Sequence, residues 1–111
     1  MQCETKPGCI KAAIAILGDK WSPLILKELA ERGPLRFGEI ESTLGLSPRT
    51  LTQRLEHLET EGIISARQYC DKPPRNEYEL TKKGMDLVAV VVAMGKWGEK
   101  YASPAVRANV A

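Results

Sequence analysis

The sequence predicts a mainly α protein with one small β-hairpin, in the order of four helices, the hairpin and a final helix. Three observations carry this. Two Ser-Pro pairs, Ser22-Pro23 and Ser47-Pro48, each precede a run with leucines at helical spacing. Between Ile63 and Leu80 the residues turn β-branched, aromatic and alternating around a Pro-Pro loop. From Lys82 to Tyr101 helical composition returns, and the middle of that segment is apolar nearly all round.

Ile10 to Leu17 is rich in Ala and Ile and reads as a short first helix ended by Gly18. Ser22 is expected to cap the second helix, with Pro23 in its first turn, where the missing N–H costs nothing. Leu24, Ile25, Leu26 and Leu29 give that helix an apolar side, and Gly33-Pro34 stops it. A third helix is expected over about Arg36 to Leu44, with Phe37, Ile40 and Leu44 on one face. Gly45 makes a tight turn and Leu46 plugs the corner. Ser47-Pro48 then starts a fourth helix that runs to about Glu61, burying Leu51, Leu55 and Leu58, with Gly62 as its stop. Strands are expected over Ile63 to Cys70 and Asn76 to Leu80, joined by the loop Asp71 to Arg75. Thr81 caps the last helix, and the tail from Ser103-Pro104 frays.

At 111 residues the chain suits one compact domain. With 43% apolar and 27% charged residues it is neither a disordered tail nor a membrane protein. The start, MQCETKPG, lacks an apolar export segment, and Leu87 to Met94 is too short to span a bilayer, so a cytoplasmic protein is expected. Cys3, Cys9 and Cys70 form neither a disulfide framework nor a zinc spacing, and His57 is the only histidine. No metal or other cofactor is implied. An enzyme would need converging acids, bases or nucleophiles, and the sequence offers no such set and no Gly-rich phosphate loop.

Two short helices joined by a glycine turn, followed by a hairpin, describe a winged helix-turn-helix. At about 100° per residue, the side of the fourth helix opposite its leucines carries Arg49, Gln53 and, more peripherally, Thr50 and His57. Arg49, Thr50 and Gln53 lie in the first two turns, the part of a recognition helix that enters the major groove. Arg matches guanine edges and Gln matches adenine edges. Ser47, Pro48 and Thr52 at the helix start suit phosphate contacts. The acids Glu56, Glu59 and Glu61 gather at the far end, so a net charge of only +2 still leaves a positive leading turn. Lys72 and Arg75 near the hairpin tip, and Arg36 before it, are further candidates for DNA contact. Arg54 sits beside the apolar stripe, where a phosphate contact and an intramolecular role are equally open. His57 is expected to be a plain surface residue.

These residues resemble the HxlR-type family of winged-helix regulators, related to the broader MarR group. The resemblance rests on GDKW at Gly18 to Trp21, GPLRFGEI at Gly33 to Ile40, LSPRTLTQRLEHLETEGII at Leu46 to Ile64, and PPRNEYELTKKG at Pro73 to Gly84. It implies a sequence-specific regulator, a repressor by default, that binds a pseudo-palindromic operator in double-stranded DNA as a homodimer through its terminal helices. Residues 1–8 would form a flexible arm and 9–102 the domain. Within the domain the helix-turn-helix would span about 36–61, the wing about 63–80 and the dimerisation helix about 82–101, with 103–111 as tail. The expected dimer face holds Ile10, Ile14, Leu87, Val90, Val91, Met94 and Trp97. The resemblance also allows a small-molecule or oxidant effector. Some relatives sense oxidants through a cysteine just before the first helix, and Cys9 falls near that place, although Cys9-Ile10 stands where the family has Cys-Pro. Cys3 would then be the resolving thiol. The competing reading is a winged-helix module that binds proteins and not DNA. It predicts loss of the exposed basic residues, which are present here.

Overall fold

A computed structural model describes residues 7–71 and 74–102. The elements are α1 (Pro7–Leu17), α2 (Ser22–Arg32), β1 (Leu35–Arg36), α3 (Phe37–Leu44), α4 (Pro48–Thr60), β2 (Ile64–Asp71), β3 (Pro74–Leu80) and α5 (Lys82–Tyr101). This is a winged helix-turn-helix: mostly helical, with a small antiparallel sheet of order β1-β3-β2.

One core serves all elements. Ile25, Leu26, Ile40, Leu51, Leu55, Leu58 and Ile63 are fully buried, and Ile16, Leu35, Leu46 and Ile64 close around them. Each buried Leu or Ile contributes roughly 1.5–3 kcal/mol of transfer free energy. The leucine stripe of α4 therefore fixes which side of that helix faces outward. Gly45 has φ 70°, a left-handed conformation that lets α3 end and α4 begin within three residues.

The structure departs from the expected elements in four places. Helix α1 starts at Pro7, inside the expected 1–8 arm, because proline is tolerated in a first helical turn. The remainder of that arm and the expected tail 103–111 lie outside the described residues. Ser22 is not the cap of α2. Trp21 occupies that position, and the Asp19 carboxylate accepts hydrogen bonds from the backbone N–H groups of Trp21 and Ser22, both at 2.9 Å. Arg36 is the N-cap of α3 and not its first residue, and it also ends the two-residue strand β1, where Leu35 pairs with Tyr78 and Arg36 with Glu77. The wing strands also reach further than expected: Asp71 pairs with Pro74 and Cys70 with Arg75, so Arg75 lies on β3 and not in the loop.

Helix α5 leaves the wing through a tightly bonded corner. The Thr81 hydroxyl accepts from Gly84 N–H at 3.1 Å and donates to the Gly62 and Ile63 carbonyls, while Thr81 N–H bonds the Ile63 carbonyl at 3.0 Å. Lys83 adds its ammonium to the Glu61 carbonyl, where the C-terminal end of α4 favours a cation. From there α5 packs back along α2.

Candidate nucleic-acid interface

Helix α4 is the centre of the site. Ser47 caps it by accepting from Thr50 N–H at 3.2 Å, and its own hydroxyl proton goes to Thr50 Oγ1 at 2.9 Å. Pro48 takes the first helical position. With Leu51, Leu55 and Leu58 buried, Arg49, Thr52 and Gln53 are exposed and Thr50 is half-buried. The first turn holds no acid. The outward start of α4 thus offers a guanidinium, an amide and hydroxyls, all groups that bond base edges or phosphates.

The remaining arginines divide by partner. Arg54 pairs with Asp19 at 3.6 Å, so of its two open readings the structure supplies the intramolecular one. Arg32 pairs with Glu28 and Arg67 with Glu77. Arg36, Arg49 and Arg75 are exposed and form no ion pair with any described residue. Arg36 instead lies over the Tyr69 ring, 4.5 Å from its centroid. Lys72 lies outside the described residues.

Two polar contacts tie α4 to the front of the chain. The first is the Asp19–Arg54 pair. Partial burial works against the Asp19 charge, but the Ser22 hydroxyl, the backbone N–H groups of Ser22 and Trp21, and the Arg54 guanidinium outweigh it. The carboxyl is therefore held below its usual range. The Ser22 hydroxyl itself is buried without a hydrogen bond of good geometry, yet lies near enough to favour the ionised carboxyl. The second contact corrects the expectation for His57. That residue is half-buried, with Nε2 2.9 Å from the Ala15 carbonyl of α1. A carbonyl only accepts, so Nε2 carries the proton there. Sequence reasoning missed Tyr69 and Asp19. Asp19 had a signal, since an Asp two or three residues before a helix start is a recurrent backbone cap. Tyr69 had none, because it meets Arg36 only through the fold.

The terminal helices form a second, apolar feature. Ile10, Ile14, Val90, Met94 and Trp97 are exposed, Met94 at 47% and Trp97 at 66%. Ile10, Ala13, Ile14, Leu17, Val90 and Met94 line one hollow between α1 and α5. Two residues expected on this face are not on it. Val91 is buried in the protomer core and Leu87 is half-buried against it, because that side of α5 packs on α2. Cys9 is exposed in the first turn of α1, not ahead of the helix as the family pattern would have it. Among the described residues no cluster of His, Cys, Asp or Glu has the make-up to hold a metal ion, and no helix is long and apolar enough to cross a membrane.

Comparison with known proteins agrees with this architecture. The family model for HxlR-like helix-turn-helix proteins matches residues 16–106. The HTH-type transcriptional regulator sll1512 of Synechocystis sp. is 43% identical over 93 residues, which cover 83% of this chain and 68% of that protein. Among solved structures, the redox regulator HypR in its oxidised form superposes with a TM-score of 0.78 at 30% identity, covering 85% of this chain and 97% of that one. The reduced form of the transcriptional regulator YodB from Bacillus subtilis gives 0.74 at 34% identity, covering 94% and 98%.

Proposed function

The chain belongs to the HxlR-like helix-turn-helix family and is a DNA-binding transcriptional regulator; we propose that it works as a homodimeric repressor that reads a pseudo-palindromic operator. The observation that carries this is the acid-free, outward start of α4, with Arg49 unpaired among the described residues and Gln53 exposed beside it. In this reading Arg49, Thr50 and Gln53 contact base edges in the major groove. Ser47, Pro48 and Thr52 lie against the backbone, and Lys72 and Arg75 extend the contact through the wing. Arg54 acts indirectly, through Asp19.

Dimerisation is supported by the exposed apolar row on α1 and α5. No other described residues cover it, and contiguous exposed apolar surface marks an interaction site. Two copies related by a two-fold axis would set two recognition helices about one turn of DNA apart. The winged-helix module that binds only protein is disfavoured by the same unpaired arginines.

The signal we assign is an oxidant or electrophile acting at Cys9. That thiol is exposed one residue from Ile10 of the proposed interface, and HypR, similar in fold, is a redox regulator. A peroxide oxidises the thiolate to a sulfenic acid and is itself reduced to water. A second thiol then displaces that hydroxyl as water, leaving a disulfide. Cys3, the expected second thiol, lies outside the described residues.

Titrating the protein against its own promoter region over a range of salt tests the main reading. The logarithm of the affinity should fall linearly with log salt. Arg49→Ala should cost roughly 1–3 kcal/mol and relax specificity if the contact is bidentate to a base. Absence of binding to any genomic fragment at low salt would overturn it.

A further inference from the structure

The wing carries a second feature that the recognition helix does not explain. Arg36, Phe37, Gly38 and Glu39 from the β1–α3 junction face Tyr69 of β2 and Arg75 and Asn76 of β3 across one open cavity. Both arginines here are unpaired with any described acid, unlike Arg67 further down the same hairpin, which Glu77 holds. Strand β2 has a bulge between Gln68 and Cys70, so Tyr69 has no direct partner on β3. A bulge bends a strand and re-aims its side chain. Here it leaves the Tyr69 ring half-buried under the Arg36 guanidinium.

We propose that Arg36 and Arg75 clamp one DNA backbone phosphodiester near the tip of the wing, with Tyr69 as the residue that positions Arg36. This rests on the DNA-binding reading above and adds a contact separate from α4. The guanidinium fork matches the geometry of two phosphate oxygens. Stacking on a ring occupies one flat face of the fork and leaves its N–H edges free. It also holds a long side chain that would otherwise lose rotamer freedom on binding. Asn76 adds an amide donor to the same cavity. Glu39 is the acid there. One of its oxygens already accepts from Arg36 N–H at 2.9 Å, and two arginines outweigh its charge. The ligand is the backbone and not a base, because in a helix-turn-helix the helix before the recognition helix crosses the backbone, and α3 begins at this cavity.

The test is a set of salt titrations with Arg36→Gln, Arg75→Gln, Tyr69→Phe, Tyr69→Leu and the double variant Arg36→Gln/Tyr69→Leu, on operator and on scrambled DNA. Each arginine variant should lower the salt slope, by at most about 0.9 because the two share one phosphate. It should weaken both DNAs by the same factor, whereas Arg49→Ala weakens the operator more. Tyr69→Phe should bind like wild type, and Tyr69→Leu should lose about two- to five-fold, because Arg36 then has rotamer freedom to lose on binding. In the Arg36→Gln background Tyr69→Leu should lose nothing more. Normal operator binding with an unchanged slope for both arginine variants would overturn the clamp and leave the DNA-binding reading standing. An equal Tyr69→Leu loss with and without Arg36 would show a structural tyrosine and overturn its positioning role. No binding by the wild type would overturn the parent reading.

Discussion

Replacing Gly84 with alanine sets two opposing effects against each other, and the structure says which wins. Gly84 lies in the first turn of α5, where alanine would ordinarily gain about 1 kcal/mol in helix propensity. A Cβ built there would lie 2.1 Å from the Ile63 carbonyl oxygen and 3.1 Å from both its carbon and Leu80 Cδ2. Real Cβ contacts essentially never fall below 3.0 Å, so α5 would have to retreat by about 1 Å. The obstacle is backbone, which no rotamer change relieves. That retreat pulls on the bonds from Thr81 to the Gly62 and Ile63 carbonyls. Overpacking of this kind costs about 1–3 kcal/mol, and one or two weakened hydrogen bonds add about 1 kcal/mol each. Subtracting the propensity gain leaves a loss of about 1–4 kcal/mol. For a chain of this length that is a fall in Tm of roughly 4–17 °C. Thermal and urea unfolding should be run at equal protomer concentration, because association shifts apparent stability. An alanine variant that melts at or above the wild type would show that α5 is free to shift and that the corner does not fix it.

Three further outcomes follow from the site. Asp19→Asn should destabilise the fold at neutral pH. The folded carboxyl is held below its ordinary value of 3.8, so its stabilisation is full above the unfolded-state pKa and is lost as pH falls through the folded one. The stability gap between wild type and variant should therefore narrow below about pH 4; a gap constant from pH 7 to pH 3 would refute the charge argument. Met94→Glu places a carboxylate on the apolar row between α1 and α5, and sedimentation should show dimers for the wild type and protomers for the variant. Unchanged mass would move the interface elsewhere. Diamide or peroxide should alter operator binding by wild type but not by Cys9→Ser, and matching responses would remove Cys9 from signalling.

Much of the fold was legible because local chemistry and tertiary packing agree. Ser47-Pro48, the leucines of α4 and Gly62 each act within one helix, and the structure uses all of them as expected. The misses have a common physical cause in long-range partners. Strand β1 is two residues long and exists only because β3, some forty residues later, pairs with it. Ser22 looked like a cap, but the helix starts at Ser22 itself, and the charged Asp19 carboxylate accepts from the N–H groups of Trp21 and Ser22 instead. Apolar character nearly all round α5 could not say which side packs inward. Once α2 takes one side, Val91 goes to the core, Leu87 is half-buried, and Val90, Met94 and Trp97 remain outside.

The interface itself was legible only where a side chain's role is set by its own helix. Net charge could not reveal it, since 14 acids nearly balance 16 bases, and several of those bases are held in local pairs. Arg32, Arg54 and Arg67 are each committed to an acid, as are Lys27 and Lys82. What distinguishes a DNA-facing cation is the lack of such a partner, a property of the fold and not of the residue. Arg49 satisfies it because the acids of α4 lie beyond its first turn. Arg36 satisfies it because its neighbour Glu39 turns a carboxylate oxygen to the backbone and Tyr69 supplies a ring. Arg54, one turn beyond Arg49, fails it because the α1–α2 corner brings Asp19 alongside. The same corner and the His57–Ala15 contact bind the recognition helix to α1, the helix that carries Cys9 and Ile14. A displacement of α1 has to break the His57–Ala15 contact or carry α4 with it, so that contact links the reading face to the proposed interface.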